Sequence, residues 1–511
     1  NVKIYFDILH ELLIKDRNLY KKLLMTSNKK GFTPLHEVFI AKHPENAKLY
    51  FEVINEVLAD DPDEFIKLLT APNKAGFTPL HDALLSNDTE IVKLYLATVK
   101  EALAHGPEQF IKLLTAPNKA GFTPLHDVLI SGHPENVKLY LATIKEAFAE
   151  DHEQFIKLLM KPNKDGFTSL HSTLLSNPEN VKPYLEIINE TLTKNPRQYI
   201  ELLTSFNKYG FTPLHDVLIS GNAENVKLYL NIVKKVLAND PEIYLSLLAA
   251  QNKAGFTPLH HVLLSGHAEN VQLYLKTLEE ALAQNPRRYI KLLTLPNEAG
   301  FTPLHEVLMA GYPKNVEIFL QTVKRVLAHD QEQIVKLLTA SNVAGFTPLH
   351  DVLKSGNAIS IQLYLEAIQP FVKKLGMEFL MKRNHAGYNL FHQAAGSGHI
   401  ESLKLILDFV KINFPKEAND IITNLLWTKT RTGYLPSCPP QVSGSEDMNS
   451  YLMELRQKYF QEELQSRKRN KALHDDSGHN SLRFYKRQNQ GHQNDAHYEE
   501  QRFHQHQSYK K

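Results

Sequence analysis

The stretch NKAGFTPLH, residues 118–126, decides the fold because it recurs along the chain at an almost constant interval. From His81 to His126 is 45 residues, and the other steps between the closing histidines are 45, 44 or, once, 42 residues. The closing histidines are His36, His81, His126, His171, His215, His260, His305, His350 and His392. The His171 copy has Ser169 in place of proline, and the last copy reads GYNLFH. Such a period indicates a repeat protein.

One repeat, residues 118–162, serves as a model for local structure. Residues 118–121 form a turn in which Gly121 is free to adopt a positive φ. Thr123 caps a first helix and Pro124 occupies its first turn, where the missing N–H is not needed. We expect this helix to end near Gly132.

Two further helices follow in the same repeat. Pro134 starts the second helix, and its apolar stripe consists of Val137, Tyr140, Leu141, Ile144 and Phe148. After a break near residues 150–151, a third helix runs over residues 153–159 and directs Phe155, Ile156, Leu158 and Leu159 inward. None of the three helices can bury its apolar face alone, so the repeats must stack. The sequence therefore predicts an all-α solenoid with a turn and three helices in each repeat of about 45 residues.

A period of 45 residues is also compatible with HEAT or armadillo arrays, and the motif distinguishes between them. The succession of GFTPLH, the downstream SGH and ENVKLYL resembles the ankyrin repeat. The last copy, residues 387–407, is similar to an ordinary ankyrin unit. Ordinary ankyrin repeats have 33 residues, so each repeat here carries about 12 more, placed after the second helix. The resemblance implies a scaffold that binds other proteins rather than an enzyme.

We divide the chain into four segments. Residues 1–436 form the solenoid, whose first repeat is truncated and whose nine complete motifs are followed by a degenerate tenth turn at residues 433–436. Residues 437–445 are a linker and 446–471 an amphipathic helix. Residues 472–511 are a polar tail that we expect to be disordered. Because residues 1–5 align with the second helix of a repeat, we also expect further repeat sequence upstream.

Composition excludes several classes of protein. No apolar run is long enough for a membrane span, and the start of the chain does not resemble a secretory signal. Cys438 is the only cysteine, which excludes an intrachain disulfide and a cysteine-based zinc site and favours a reducing, cytoplasmic compartment. The formal net charge of +2 does not favour nucleic acid as the partner. We predict no metal and no other cofactor.

The residue after each histidine is the main candidate for contact with a partner. By the ankyrin resemblance this position faces a concave groove. We name these positions the acid row, and its candidate members are Glu37, Asp82, Asp127, Asp216, His261, Glu306 and Asp351. An acid in the first turn of a helix is also favoured by the helix dipole, so the row has a structural explanation beside the functional one.

Two further rows are secondary candidates. Lysines recur in the turns, at Lys74, Lys119, Lys164, Lys208 and Lys253. They form either a solubilising face or a surface for an acidic partner or phosphates. The aromatic residue of each motif, represented by Phe77 and Phe122, either packs against the added third helix or forms an aromatic binding strip.

The sequence therefore predicts a monomeric, intracellular scaffold that binds a partner protein along its repeats. One alternative is the targeting arm of an enzyme whose catalytic domain lies upstream of Asn1, and another is binding of nucleic acid through the lysines. The near-identity of the repeats suggests, as a hypothesis, an effector that an intracellular bacterium delivers into the cytosol of a host cell.

Overall fold

The computed structural model describes residues 16–131 and 133–474. Two compact modules make up the chain, Asn1–Leu292 and Leu293–Lys511, and each is treated by itself below. Both modules are stacks of ankyrin-like helical repeats, and no β-strand occurs within the described ranges. The all-α fold class that the sequence predicts is therefore confirmed. Gly132, the expected end of a first helix, residues 1–15 and the tail from residue 475 lie outside the described residues.

The helix boundaries follow the sequence motifs. A helix at Arg17–Met25 precedes the complete repeats. The first helices of the nine repeats are Pro34–Ile40, Pro79–Leu85, Pro124–Ser131, Ser169–Leu174, Pro213–Ile219, Pro258–Leu264, Pro303–Ala310, Pro348–Ser355 and Leu390–Gly396. The second helices are Pro44–Val57, Thr89–Ala102, Pro134–Ala147, Pro178–Leu192, Ala223–Val236, Ala268–Ala281, Pro313–Val326, Ala358–Ile368 and Ile400–Asn413.

The third helices are Pro62–Thr70, Pro107–Thr115, His152–Met160, Pro196–Thr204, Pro241–Leu248, Pro286–Thr294, Gln331–Thr339 and, in the ninth repeat, Ala418–Trp427. In the eighth repeat a 3-10 turn at Gln369–Phe371 and a short helix at Val372–Leu375 take their place. The turn with three helices is thus confirmed for every other complete repeat. The four inward residues predicted for residues 153–159 are all buried.

The turns stack on one another through the backbone. The side-chain oxygen of Asn118 accepts hydrogen bonds from the N–H groups of Ala120 at 2.9 Å and Phe122 at 3.1 Å, which folds the turn. The N–H of Lys164, in the next turn, donates to the carbonyl of Ala120 at 3.0 Å. Gly121 has a φ of +87°, and a Cβ there would lie 2.7 Å from the nitrogen of Lys164. Glycine is therefore required both by the local φ and by the neighbouring turn.

Tyrosines of the second helices hold the added third helices in place. The buried hydroxyl of Tyr140 donates to the carbonyl of Leu114, the penultimate residue of the preceding third helix, at 2.5 Å. Tyr95 and Leu69 make the same bond at 2.7 Å. This bond satisfies a carbonyl at the C-terminus of the third helix, where no intrahelical donor is available.

The last repeat is closed by a different kind of element. Residues 430–434 form a tenth turn, in which the N–H of Thr430 donates to the carbonyl of Tyr434 at 2.8 Å. No helix follows this turn until Ser445–His474, which we name the capping helix. It buries Met448, Leu452, Leu455 and Tyr459. The amide of Asn449 pairs with both the N–H and the carbonyl of Cys438, each at 2.9 Å.

Candidate functional site

Each motif histidine joins its own repeat to the next. Nδ1 of His126 accepts the backbone N–H of Thr123 at 3.2 Å, and the Thr123 hydroxyl lies 2.8 Å from the same nitrogen. On the other side of the ring, Nε2 lies 3.1 Å from the carbonyl oxygen of Phe167, in the following turn. The histidine thus forms a bracket between the turn and the helix of its own repeat, and the bracket extends into the next repeat.

These contacts fix the tautomer of the ring. A backbone N–H can only donate, so Nδ1 of His126 must be unprotonated and Nε2 must carry the hydrogen that Phe167 accepts. Burial lowers the pKa of His126 to about 4, and the bond to the Phe167 carbonyl only partly offsets this effect. The ring is therefore neutral near pH 7, with both nitrogens occupied, and it serves as a structural connector. Within residues 16–131 and 133–474, no three histidine, cysteine or acidic residues are placed to hold a metal ion.

The acid row lies largely beneath the surface. Glu37 is exposed, but Asp82, Asp127 and Asp216 keep only 9%, 5% and 5% of their surface exposed. In the C-terminal module Glu306 and Asp351 are each 2% exposed. The open acidic groove expected from the sequence is thus reduced to Glu37, because neighbouring groups cover the other carboxyls, that of Glu306 included.

The electrostatics of these aspartates reflect their burial. Burial raises the pKa of Asp82 to about 7, and the charge of Glu37 adds to the shift. The pKa of Asp127 is raised to about 7 by burial and by the charge of Asp82, and burial also raises that of Asp216. In each of the three aspartates Oδ2 is buried without a hydrogen-bond partner. An unpaired, fully buried oxygen of this kind destabilises the folded protein.

His261 shows what lies beside the acid row. Its ring is 7% exposed, and its centroid lies 5.0 Å from that of Phe211 and 5.4 Å from that of Phe256. A residue in this row therefore contacts the motif aromatics of its own repeat and of the preceding one. The turn asparagines reach the same row, since the amide of Asn28 donates to Glu37 at 2.9 Å.

The motif aromatics pack edge-on against their own histidines. The ring centroids of Phe77 and His81 are 5.5 Å apart, and those of Phe122 and His126 are 5.7 Å apart. Both phenylalanines are half-buried, so part of each ring is left on the surface. Packing against the third helix and exposure as a binding strip therefore both stay predictions, with the histidine contact added to them.

The candidate lysines lie at the exposed tips of the turns. All five, Lys74, Lys119, Lys164, Lys208 and Lys253, are exposed. Lys208 also forms an ion pair with Asp165 of the preceding turn and lies over the ring of Tyr209. The corresponding positions in the motifs of the C-terminal module are Glu298, Val343 and His385, so these lysines are confined to the N-terminal module.

A fourth row was not recognised in the sequence. Ile130 lies one helical turn beyond Asp127, on the same face of the first helix, and is 49% exposed. Ile40 and Leu175 occupy the equivalent place and are 46% and 49% exposed. We name the six equivalent residues the aliphatic row, which consists of Ile40, Leu85, Ile130, Leu175, Ile219 and Leu264, the remaining three being half-buried. The spacing of three residues from the acid row is the signal that could have identified it.

The equivalent positions of the C-terminal module do not form such a row. Met309 still continues the pattern there, but the next position is Lys354, whose ammonium group donates to the carbonyl of Gly396 at 3.1 Å. In the N-terminal module, the last turns of the helices at Pro34–Ile40, Pro79–Leu85 and Pro124–Ser131 carry no basic residue. The C-terminal, negative ends of these helix dipoles lie beside the aliphatic row, and no basic side chain of the same helix neutralises them.

The fourth repeat replaces one contact with another. Ser169 stands where the other motifs have proline, and its hydroxyl lies 2.6 Å from that of Tyr184 and donates to the carbonyl of Leu159 at 3.0 Å. Tyr184 is therefore linked to the carbonyl of the preceding third helix through Ser169, whereas tyrosines such as Tyr140 bond to that carbonyl directly. The second helix continues from Pro178 to Leu192 with Pro183 inside it.

Comparison with known proteins finds a similar solved structure but no matching sequence family. No protein-family model matches the sequence, and no curated protein matches it. Among solved structures, the chain is similar to the ankyrin repeat domain of Bcl-3, described as a unique member of the IkappaB protein family. The sequence identity is 21%, the TM-score is 0.34, and the match covers 56% of this chain and 98% of that chain. The fold assignment rests on the repeat geometry described above.

No helix within the described ranges combines the length and the apolar character that crossing a bilayer requires.

Proposed function

We propose that this chain is a protein-interaction scaffold and that the face formed by the first helices of the N-terminal module is its main contact surface. The observation that carries the proposal is the aliphatic row, in which Ile40, Ile130 and Leu175 each expose nearly half of their surface. Isolated exposed apolar residues are common, but a row repeated at one structural position is typical of a binding surface. The half-buried motif phenylalanines extend the same face.

The other rows have supporting roles in this proposal. Glu37 offers a partner an exposed carboxylate, whereas Oδ2 of Asp82, Asp127 and Asp216 is covered by the protein itself. The turn lysines border the face and favour a partner with acidic groups at that edge. Binding of nucleic acid through these lysines is the second candidate. It predicts affinity that falls steeply with salt.

An affinity capture from a eukaryotic cell lysate tests the scaffold. The bait is the full chain, compared with an Ile130→Arg/Leu175→Arg variant and with Ile412→Arg, whose side chain is 75% exposed in the C-terminal module. We expect the wild type and Ile412→Arg to retain the same partner and the double variant to lose it. Equal capture by all three baits would contradict the proposed surface. Glu37→Lys tests the acid row in the same assay, because Glu37 is an exposed member of the row.

The remaining hypotheses from the sequence are kept as proposals with their own tests. The sequence encoded upstream of Asn1 would reveal or exclude a catalytic domain for which this chain is the targeting arm. A translocation assay with and without residues 472–511 tests delivery into a host cell, and sedimentation tests the monomeric state.

A further inference from the structure

The turn lysines form one continuous basic edge of the N-terminal module, because their turns are bonded to one another. The N–H of Lys119 donates to the carbonyl of Ala75 at 2.9 Å, and the N–H of Lys253 donates to that of Tyr209 at 3.0 Å. The turns therefore lie side by side, and their lysines recur at about the packing distance of the helices, ~8–10 Å. We name this surface the lysine edge, which consists of Lys74, Lys119, Lys164, Lys208 and Lys253.

Most of the charge on the lysine edge is not neutralised. Lys208 pairs with Asp165, but none of the other four lysines forms an ion pair with a residue of the described ranges. The formal net charge of the whole chain is only +2, so the positive potential of the edge comes from the placement of these lysines. An anionic ligand that spans several turns is therefore favoured, since it contacts several lysines at once.

One turn of the lysine edge also carries two exposed aromatic rings. Phe206 is 58% exposed and Tyr209 is 48% exposed. Pro117 and Pro162 occupy the place of Phe206 in the two preceding turns, and Ala120 occupies the place of Tyr209. The stacking of the turns thus requires an aromatic residue at neither position. Two exposed rings in a single turn form an apolar patch of the kind that marks a binding site.

The two kinds of side chain meet at Tyr209. The ring centroid of Tyr209 lies 5.2 Å from Nζ of Lys208 and 6.5 Å from the ring centroid of Phe167 in the preceding turn. The turns on either side supply Lys164 and Lys253, both of which are exposed. An anionic group beside the ring of Tyr209 is thus flanked by lysines from three consecutive turns.

This combination indicates the class of ligand. The lysines require an anion, whereas the exposed rings require an apolar, preferably planar, partner. An acidic protein segment satisfies the lysines alone, and lysine is depleted in protein–protein interfaces. Single-stranded nucleic acid carries a phosphate and a base in every nucleotide, and its bases stack on aromatic side chains. In a duplex the faces of the bases are already stacked on one another.

We propose that the lysine edge binds single-stranded nucleic acid, with its phosphates along the lysines and a base stacked on the rings of Phe206 and Tyr209. This inference rests on the second candidate of the proposed function, and it adds the form of the nucleic acid and the place where a base is held. It does not involve the aliphatic row, so the two surfaces are tested independently.

Fluorescence anisotropy with the full chain tests the inference. The probes are labelled oligouridine and oligothymidine of about 20 nucleotides, which separate RNA from DNA, and a duplex of about 20 base pairs. We expect both single strands to bind. If three to five lysines contact phosphates, the logarithm of the binding constant should fall against the logarithm of the salt concentration with a slope of about −2 to −3.5.

The aromatic variant is Phe206→Pro/Tyr209→Ala, which restores the residues of the preceding turns and is therefore expected to fold. It should weaken the binding of the single strands about tenfold, because a stacked base is lost, and leave the salt dependence unchanged. Its affinity for the duplex should equal that of the wild type. Phe460→Ala, at a 48% exposed position of the C-terminal module, is the matched control and should have no effect.

The charge variant is Lys119→Glu/Lys253→Glu. It should weaken the binding of single strands and lower the salt slope by about 1 to 1.5, because two phosphate contacts are lost. Lys48→Glu/Lys182→Glu changes the net charge equally at exposed positions of the second helices, and it should keep the slope of the wild type. Circular dichroism checks that all variants are folded.

The other outcomes overturn the inference at different levels. Equal affinity of the wild type and the aromatic variant for single strands would show that no base stacks on these rings, although the lysine candidate would stand if the charge variant still binds less. Competition by polyglutamate as strong as that by oligouridine would show that the edge selects charge alone. No binding of either oligonucleotide at about 50 mM salt would remove nucleic acid as a candidate. None of these results bears on the aliphatic row, which the lysate capture tests.

Discussion

The Nε2–H of His126 donates a hydrogen bond to the carbonyl oxygen of Phe167, 3.1 Å away and 41 residues further along the chain. The same ring caps its own helix through Thr123, so one neutral imidazole satisfies groups in two repeats. His36, His81, His171, His215 and His392 make the corresponding bond to the turn that follows each of them. Stacking thus depends on a polar contact as well as on apolar burial.

Replacing His126 with alanine should lower the free energy of unfolding by about 3 kcal/mol, because two buried backbone groups lose their partner and a cavity remains. Urea denaturation followed by circular dichroism measures the change. His105→Ala, at an exposed position in the preceding repeat, is the control and should have little effect. A loss below about 1 kcal/mol at His126 would show that water replaces the bracket without cost.

Stability should fall as the solution is acidified below about pH 6.5, where an unfolded histidine begins to bind a proton. The folded chain holds the pKa of His81, His126 and His171 at about 4, so the unfolded state binds more protons between these limits. The stability that the neutral rings provide is present above pH 6.5 and is lost as the pH falls towards 4. In His126→Gln this pH dependence should be smaller, and an unchanged slope in thermal unfolding would contradict the explanation.

Asp82→Asn should stabilise the protein above pH 7 and lose that advantage near pH 4. Burial raises the pKa of Asp82 from 3.8 to about 7, so the stability associated with its protonated form is complete below about pH 4 and is lost as the pH rises through 7. The difference between the two ends of this window is up to about 4 kcal/mol. Thermal unfolding of both proteins across the window measures it, with exposed Asp63→Asn as the matched control. Parallel curves for wild type and Asp82→Asn would contradict the raised pKa.

Gly121→Ala should destabilise the array more than Gly433→Ala, at the equivalent position of the tenth turn. Both glycines have a positive φ, which costs an alanine about 1–2 kcal/mol. A Cβ on Gly121 would also lie 2.7 Å from the backbone nitrogen of Lys164, whereas nothing lies within 4 Å of one on Gly433. We expect the additional cost at Gly121 to be at least about 1 kcal/mol in urea denaturation. Equal losses would show that the neighbouring turn moves away freely.

Ser169 and Tyr184 should be coupled energetically. Their hydroxyls lie 2.6 Å apart and that of Ser169 donates to the Leu159 carbonyl, so Ser169→Ala and Tyr184→Phe remove parts of one network. A double-mutant cycle should give a coupling of about 1 kcal/mol. Tyr140→Phe combined with Ser169→Ala is the control cycle and should be additive, because Tyr140 bonds to Leu114 instead.

Much of the fold was accessible from the sequence because each repeat restates the same local signals. Thr123 and Pro124 mark a helix start, and the helix begins at Pro124. The sequence placed the third helix of that repeat at residues 153–159, and it spans His152–Met160 with Asp151 as its cap. Such signals act within a few residues, which is why a single sequence was enough to predict the helices.

The candidate site was harder to predict from the sequence, because the exposure of each side chain depends on the neighbouring repeats. The aspartates after the histidines were expected on an open groove, yet Asp127 is 5% exposed. Whether a carboxyl at this position is covered depends on rings such as Phe122 and on the turns beside it, which local sequence does not specify. For the same reason, nothing in the sequence alone showed that Ile130 is left half exposed while Leu129, its neighbour, is fully buried.

The turn glycines have a consequence for how such arrays change in length. The Cβ position of Gly121 is occupied by the backbone of the following turn, and the same holds for Gly387, where Arg431 lies 3.0 Å away. Around Gly433, in the tenth turn, the equivalent space is open. The turn of one repeat thus packs against the turn of the next through the same close contact, so an additional copy of a whole repeat brings both halves of that contact with it. Duplication or deletion of a whole repeat in the gene can then lengthen or shorten the array without new compensating mutations, provided that the segment after Gly433 still closes its end.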